Sequence, residues 1–261
     1  NPETLAANIC EIAPTLFLGV PRVWEKFYSA MALRMKDATP VGRWAYGLAM
    51  KAGFAAADVN LAGGTPGAGQ RAARWLADVL VFDNLRRMMG LNRIRIALTG
   101  AAPISPELIR WYHASGVPLY EGWGMTESSG GGTINVPGSC RIGSIGKPIG
   151  FNEVKLSAEG EILVRGANVF MGYLNQPEKT KEAIDANGWL HTGDVGSVDA
   201  EGFMRITDRI KDIIITAGGK NITPSEIENE LKFSPYIADA VVVGDRRPYL
   251  TCLVMIDHEN V

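Results

Sequence analysis

Between positions 120 and 132 the chain reads Tyr120-Glu121-Gly122-Trp123-Gly124-Met125-Thr126-Glu127-Ser128-Ser129-Gly130-Gly131-Gly132. Small residues let backbone N–H groups come close to a phosphate, and Thr126 adds a hydroxyl. Glu127 offers a hard carboxylate suited to Mg²⁺, and Trp123 a flat face on which a base can stack. A solvated Gly/Ser loop beside a packed tryptophan has the same composition, so this segment alone does not decide between the two. Further on, Asp194 ends the turn His191-Thr192-Gly193-Asp194, where a carboxylate can accept both hydroxyls of a ribose or simply cap its own turn. Arg209, flanked by Asp208 and Asp212, can clamp a ribose or phosphate, or form an ordinary surface ion pair. His113, His191 and His258 are scattered, with no acidic or nucleophilic partner at a recognisable spacing, and no catalytic triad is expected.

These residues need elements to hold them. The first ninety residues read as helical: Val23, Phe27, the pair Ala30 and Met31, and Arg34 recur at steps of three or four, and Arg71 to Met89 repeats the habit up to Gly90. Gly63 to Gly69 is a glycine-rich loop between the helices, and Trp24, Trp44 and Trp75 are expected to anchor packing. From Arg93 the pattern becomes strand, turn, helix, strand. Ile94, Ile96 and Leu98 alternate; Gly100-Ala101-Ala102-Pro103 turns; Ser105-Pro106-Glu107 opens a helix with an N-cap hydroxyl and a proline at the first helical position; and Val117 to Tyr120 forms a second strand after Gly116. A strand-helix-strand unit of this length implies parallel neighbours, so the loops after the two strands should face one another at the edge where open parallel sheets bind ligands.

After Gly138 the chain is rich in hairpins. Val154 to Leu156 pairs with Glu161 to Val164, Asn187-Gly188 marks a turn, and Val195 to Val198 pairs with Phe203 to Thr207. Ile213 to Ile215, a Gly218-Gly219 turn, a helix from Pro224 capped by Thr223 with Glu226, and strands at Asp239 to Val243 and Leu250 to Ile256 complete the pattern. The fold class is therefore α/β: parallel-sheet layers with helices, a β-rich subdomain over about 139–207, and the start of a small α+β C-terminal domain over 213–261, joined by a polar hinge at 208–212. Residues 1–207 are expected to be the remainder of a large N-terminal domain.

With 261 residues, 26 Lys+Arg against 28 Asp+Glu and a net charge of −2, the chain lacks the clustered positive charge that a nucleic-acid binder needs. No apolar run approaches the roughly 18 residues of a membrane span. Cys10, Cys140 and Cys252 lie far apart with no CxxC pair, which points to neither a disulfide framework nor a zinc site and fits a reducing, cytoplasmic setting.

Read in order, TGAAP, YEGWGMTES, GEILVRG, VFMGYLNQPEKT, GWLHTGDVG and RITDRIKDIIITAGGKNITPSEIE resemble the acyl-adenylate-forming (AMP-binding) superfamily of acyl-CoA synthetases, luciferases and adenylation domains. The opening APTLFLGVPRVWEKFYSAM and the closing VVVGDRRPYLTCLVMID look most like its long-chain fatty acyl-CoA synthetase branch. The resemblance implies ATP-dependent activation of a long-chain fatty acid to acyl-AMP, then thioester formation with CoA, with Mg²⁺ as cofactor and ATP and CoA as co-substrates. An acyl-AMP ligase serving a carrier protein and a non-catalytic nucleotide-binding homologue stay open as alternatives. It further implies that Gly100, Ala101 and Ala102 back the adenine, that Gly122, Trp123 and Gly124 line it with Trp123 stacking, that Thr126 contacts phosphate and that Glu127 binds the metal. Asp194 and Arg209 would grip the ribose, Lys211 would be the hinge, and Gly218, Gly219 and Lys220 would form a hairpin near the CoA tunnel.

The superfamily's phosphate loop ending in Pro-Lys-Gly is expected upstream of Asn1 and its last catalytic lysine beyond Val261, so residues 1–261 alone are expected to be inactive. Where the superfamily's ribose turn often carries Arg, this chain has His191. A lipid-like substrate is compatible with peripheral membrane association, although no basic amphipathic anchor is visible.

Overall fold

The structure is a computed structural model and describes residues 4–209 and 213–258. Its first half is a helical layer around a short parallel sheet. In chain order come α1 (Leu5–Ile12), β1 (Leu16–Gly19), α2 (Pro21–Lys36), α3 (Pro40–Leu61), α4 (Ala68–Ala77), a π-helical turn at Asp78–Phe82, α5 (Asp83–Met88), β2 (Ile96–Thr99), α6 (Pro106–Ser115) and β3 (Leu119–Trp123). Strand β2 lies parallel to β3 with Thr99 beside Glu121, the arrangement the strand-helix-strand pattern implies. Strand β1 was not legible in the sequence. Its four residues pair parallel to β2, Gly19 beside Thr99, and a run that short gives no periodicity to read. Strands β4 (Thr133–Ile134) and β5 (Lys147–Pro148) extend the sheet antiparallel beyond β3.

Helix α6 ends at Gly116 with φ +87°, a left-handed C-cap that glycine adopts without a Cβ penalty. The expected cap at its start is corrected. The Ser105 hydroxyl makes no cap hydrogen bond; Pro106 at the first position already removes one of the unpaired donors. The large core gathers Trp24, Phe82, Leu108, Tyr112, Val117 and Leu119, with the Tyr112 hydroxyl donating to the Trp24 carbonyl at 2.6 Å. Trp24 is fully buried, but Trp44 and Trp75 are each 66% exposed, against the expectation that they anchor packing. Helix α3 turns the small residues Ala49, Gly53, Ala56 and Ala57 inward, so Trp44 near its start stays outside, and α4 buries only Ala77.

The second half is β-rich. Strands β6 (Asn152–Leu156), β7 (Glu161–Gly166), β8 (Leu190–Val198) and β9 (Met204–Arg209) form one antiparallel sheet in chain order, with α7 (Pro177–Ala183) between β7 and β8. Ile145, Ile162 and Met204 make a small core of their own, against which Trp123 packs. Backbone bonds from Ile145 N–H to the Met204 carbonyl (2.8 Å) and from Met204 N–H to the Gly146 carbonyl (2.9 Å) tie this sheet to the loop before β5.

Beyond it lie the hairpin β10 (Ile214–Ile215) and β11 (Asn221–Ile222), helix α8 (Pro224–Lys232), and the antiparallel pair β12 (Ile237–Val243) and β13 (Thr251–Ile256). Thr223 precedes α8 without a side-chain cap bond, which corrects that half of the expected capping box; the Glu226 side chain lies outside the described residues. This last part rests on α2: the Phe233 ring stacks on Tyr28 at 5.1 Å and Arg22 donates to the Ala238 carbonyl at 2.7 Å. Among the described residues no helix is long and apolar enough to cross a membrane.

Candidate active site

The turn that follows β2 meets the end of β3. A Cβ on Gly100 would lie 2.8 Å from the Gly122 carbonyl oxygen, so the TGAAP turn and the start of the glycine-rich segment are in backbone contact at the sheet edge. Ala101, exposed in that turn, takes φ +70°. The glycines of the second loop have a packing reason as well as any ligand role. A Cβ on Gly132 would sit 2.4 Å from the Trp123 ring, and one on Gly124 2.3 Å from the Gly130 carbonyl.

Two asparagines that sequence reasoning missed hold this loop from outside. Asn168 donates to the carbonyls of Ser128 (3.0 Å) and Gly131 (2.8 Å), and Asn152 to those of Gly131 (3.3 Å) and Gly132 (3.1 Å). Ser129 returns a bond from its hydroxyl to the Asn168 carbonyl at 2.9 Å. Nothing in their local sequence marks them, because each is simply a polar residue near a strand end.

The loop's functional candidates then point in different directions. Thr126 is exposed at the start of a short 3-10 turn. Glu127 accepts the Tyr173 hydroxyl at 2.9 Å, a bond that raises the Tyr173 phenol above its ordinary pKa. The half-buried Trp123 directs its indole N–H to Asp194 Oδ2 at 2.8 Å. Asp194 itself is 6% exposed, so the aspartate that ends the His191–Asp194 turn is a buried carboxylate held by the aromatic residue 71 positions earlier. Across the β8–β9 ladder Asp194 pairs in register with Arg209. Neighbouring Glu121, with no hydrogen bond to its side chain among the described residues, is pushed by burial up to about 8, and the nearby Cys140 thiol by burial up to about 11.

The structure thus brings Gly100, Gly122, Gly124, Trp123 and Asp194 to one place, with the backbone of Arg209 beside Asp194 and with Thr126 and Glu127 on the continuing loop. Ala101 and Ala102 stay exposed beside it. The turn with Gly218, Gly219 and Lys220 is held separately. Gly219 N–H donates to the Thr216 carbonyl at 2.8 Å and Ala217 N–H to that of Arg247 at 2.9 Å, and the turn shares no hydrogen bond with the Trp123 cluster among the described residues. Lys211 lies outside the described residues.

Comparison with known proteins places this arrangement. Residues 1–174 match the family of AMP-binding enzymes, and residues 211–261 match the AMP-binding enzyme C-terminal domain. The chain belongs to the AMP-binding enzyme family. Among its relatives in that family is a long-chain-fatty-acid–CoA ligase of Xenopus laevis, 40% identical over 263 positions that cover 97% of this chain and 35% of the relative. The chain therefore spans about a third of that relative's length. An O-succinylbenzoate coenzyme A synthetase of Bacillus subtilis, solved with ATP and magnesium ion, superimposes with a TM-score of 0.56 at 34% identity, covering 63% of this chain and 36% of that one. The adenylation domain of a carboxylate reductase of Mycobacterium chelonae shares the fold over 98% of this chain and 36% of its own, with a TM-score of 0.68 at 22% identity. The α/β fold expected from the sequence is thus that of an AMP-binding enzyme.

Proposed function

We propose that the protein of which this chain is part activates a long-chain fatty acid with ATP and passes the acyl group to CoA. The observation that carries this reading is the Trp123–Asp194 bond at the end of β3, beside the turn that follows β2. It sets an aromatic face and a ribose-seeking carboxylate at a fixed distance from each other, as recognition of an adenosine requires. Family membership supports the adenylate, and the likeness to the long-chain-fatty-acid–CoA ligase of Xenopus laevis supports the fatty acid and CoA.

On this reading the adenine lies against Trp123 and the backbone of Gly100 to Ala102, while Asp194 accepts the ribose hydroxyls with Arg209 opposite. A carboxylate oxygen of the fatty acid then attacks the α-phosphorus, pyrophosphate leaves and acyl-AMP remains. In the second step the CoA sulfur attacks the acyl carbonyl and AMP leaves. Thr126 and the backbone N–H groups of the loop orient the phosphates, so that alignment of the attacking oxygen with the leaving group is set before reaction.

The donor set fits magnesium. Mg²⁺ is commonly held by one or two protein carboxylates plus substrate phosphates and water, and Glu127 is a single hard carboxylate on the loop, with no group of three metal-binding side chains among the described residues. Bound there, the ion would offset the repulsion between the two anions that must meet. Lys211 is proposed as the hinge about which the C-terminal part turns between the two steps, bringing the Gly218–Lys220 turn to the CoA.

The test uses the full-length protein with ATP, Mg²⁺, CoA and a ladder of fatty acids, beside Glu127→Ala. Thioester that peaks at long chains and collapses in the variant is expected. Pyrophosphate without thioester refutes CoA as acceptor, and no pyrophosphate from any acid refutes the activation itself.

A further inference from the structure

The GEILVRG segment has no part in the function derived so far, yet its glutamate is tied to the ribose turn by both carboxylate oxygens. Glu161 Oε1 accepts the Gly193 N–H at 2.9 Å, and Oε2 lies 2.8 Å from His191 Nδ1. The Glu161 side chain is only 14% exposed, whereas that of His191 is 41% exposed. In the β7–β8 ladder Glu161 pairs with Val195 and Leu163 with His191, so Ile162 alone stands opposite three residues, Thr192, Gly193 and Asp194. The turn carrying Asp194 is therefore a bulge with two extra residues on β8, and bulges re-aim side chains.

A bulge of this size needs outside support because its own ladder bonds are lost. Its backbone turns at Gly193, where φ is +75°. The Thr192 hydroxyl donates to the Ile162 carbonyl at 2.7 Å and accepts the Asp194 N–H at 3.2 Å. Glu161 holds the other side, taking the Gly193 N–H that no strand partner accepts. A carboxylate offers one oxygen to that N–H and the other to the imidazole, and so grips both together. No sequence rule links positions 161 and 191, which is why His191 read as partnerless.

We propose that Glu161 is a positioning residue for Asp194: by bracing the bulge through Gly193 and His191 it aims the Asp194 carboxylate at the ribose of ATP. This rests on the reading that Asp194 binds the ribose hydroxyls. The role requires no contact between Glu161 and the nucleotide, and it predicts that losing Glu161 removes recognition of the sugar hydroxyls more than turnover.

The experiment compares ATP with 2′-deoxy-ATP and 3′-deoxy-ATP in acyl-adenylate formation by the full-length protein. The variants are Glu161→Ala, Glu161→Gln and Asp194→Asn. Expected is a roughly tenfold rise in KM for ATP in Glu161→Ala with kcat changed less, and a preference over the deoxy nucleotides that falls toward one, as in Asp194→Asn. Glu161→Gln keeps an acceptor for Gly193 and an amide that can donate to the imidazole, so it should retain most of the preference. A Glu161→Ala enzyme with wild-type preference, beside an Asp194→Asn enzyme that has lost it, overturns the proposal while leaving the ribose reading intact. An unchanged preference in Asp194→Asn, or none in the wild type, refutes the ribose reading and the proposal with it. If Glu161→Ala does not fold, His191→Ala carries the test, because it removes only the exposed half of the brace. A fall in preference of about threefold is then expected, and no fall overturns the proposal.

Discussion

The bond between Trp123 and Asp194 joins two loops that are remote in sequence, and Trp123→Phe tests it with little change of shape. Phenylalanine keeps an aromatic ring against Ile145, Ile162 and Met204 but has no N–H for the carboxylate. A hydrogen bond to a charged group is worth about 1.5–3 kcal/mol, and the lost part of the indole adds about 1 kcal/mol of packing. Asp194 is 6% exposed, so water replaces the missing donor poorly and the upper half of that range applies. To separate bond from packing, Trp123→Phe is crossed with Asp194→Asn in a double-mutant cycle and each protein is unfolded in urea without nucleotide. The packing loss is common to both backgrounds and cancels. Asparagine keeps a carbonyl oxygen for the indole N–H, so the cycle reads only the charge-dependent part of the bond: the expected coupling is about 1–2 kcal/mol, with the single Trp123→Phe variant destabilised by about 3–4 kcal/mol. A coupling below about 0.5 kcal/mol would refute the claim that this bond holds the Asp194 carboxylate.

Two further outcomes follow from the same loop. Gly132→Ala places a methyl 2.4 Å from the Trp123 ring, and overpacking of this kind costs about 1–3 kcal/mol. Thermal unfolding and nucleotide affinity should both decline, and a variant as stable as wild type would show that the ring is free to move aside. Glu121, raised to about 8 by burial from an ordinary 4.5, favours folding as a neutral acid. Its contribution is full below pH 4.5 and is lost as pH rises through 8, up to roughly 4–5 kcal/mol at ~1.4 kcal/mol per pH unit, an upper limit because the side chain keeps some contact with solvent. Glu121→Gln should therefore flatten the decline in stability between pH 5 and 9 measured by urea unfolding; parallel profiles for the two proteins would contradict this.

Much of the architecture was legible because it is local. The parallel pair β2–β3 follows from a strand-helix-strand pattern too long for a hairpin, the helix end at Gly116 from a residue that tolerates positive φ, and the β6–β7 and β8–β9 hairpins from short turns between alternating runs. Residue types also singled out Trp123, Thr126, Glu127, Asp194 and Arg209 as candidates for a nucleotide site, each with a bland alternative that residue type alone did not exclude. Tertiary structure alone decided which of them touch. Asn152 and Asn168 lock the glycine-rich loop across 20 to 40 residues of chain, Trp123 reaches Asp194 across 71, and Glu161 meets His191 across 30. The same holds for Trp44 and Trp75: a tryptophan's size says it can anchor a core, but which face its helix turns inward is set by the partner it packs on. Periodicity and turn chemistry act over a few residues, whereas these contacts arise when separate sheets and loops close on one another, and no spacing rule encodes that.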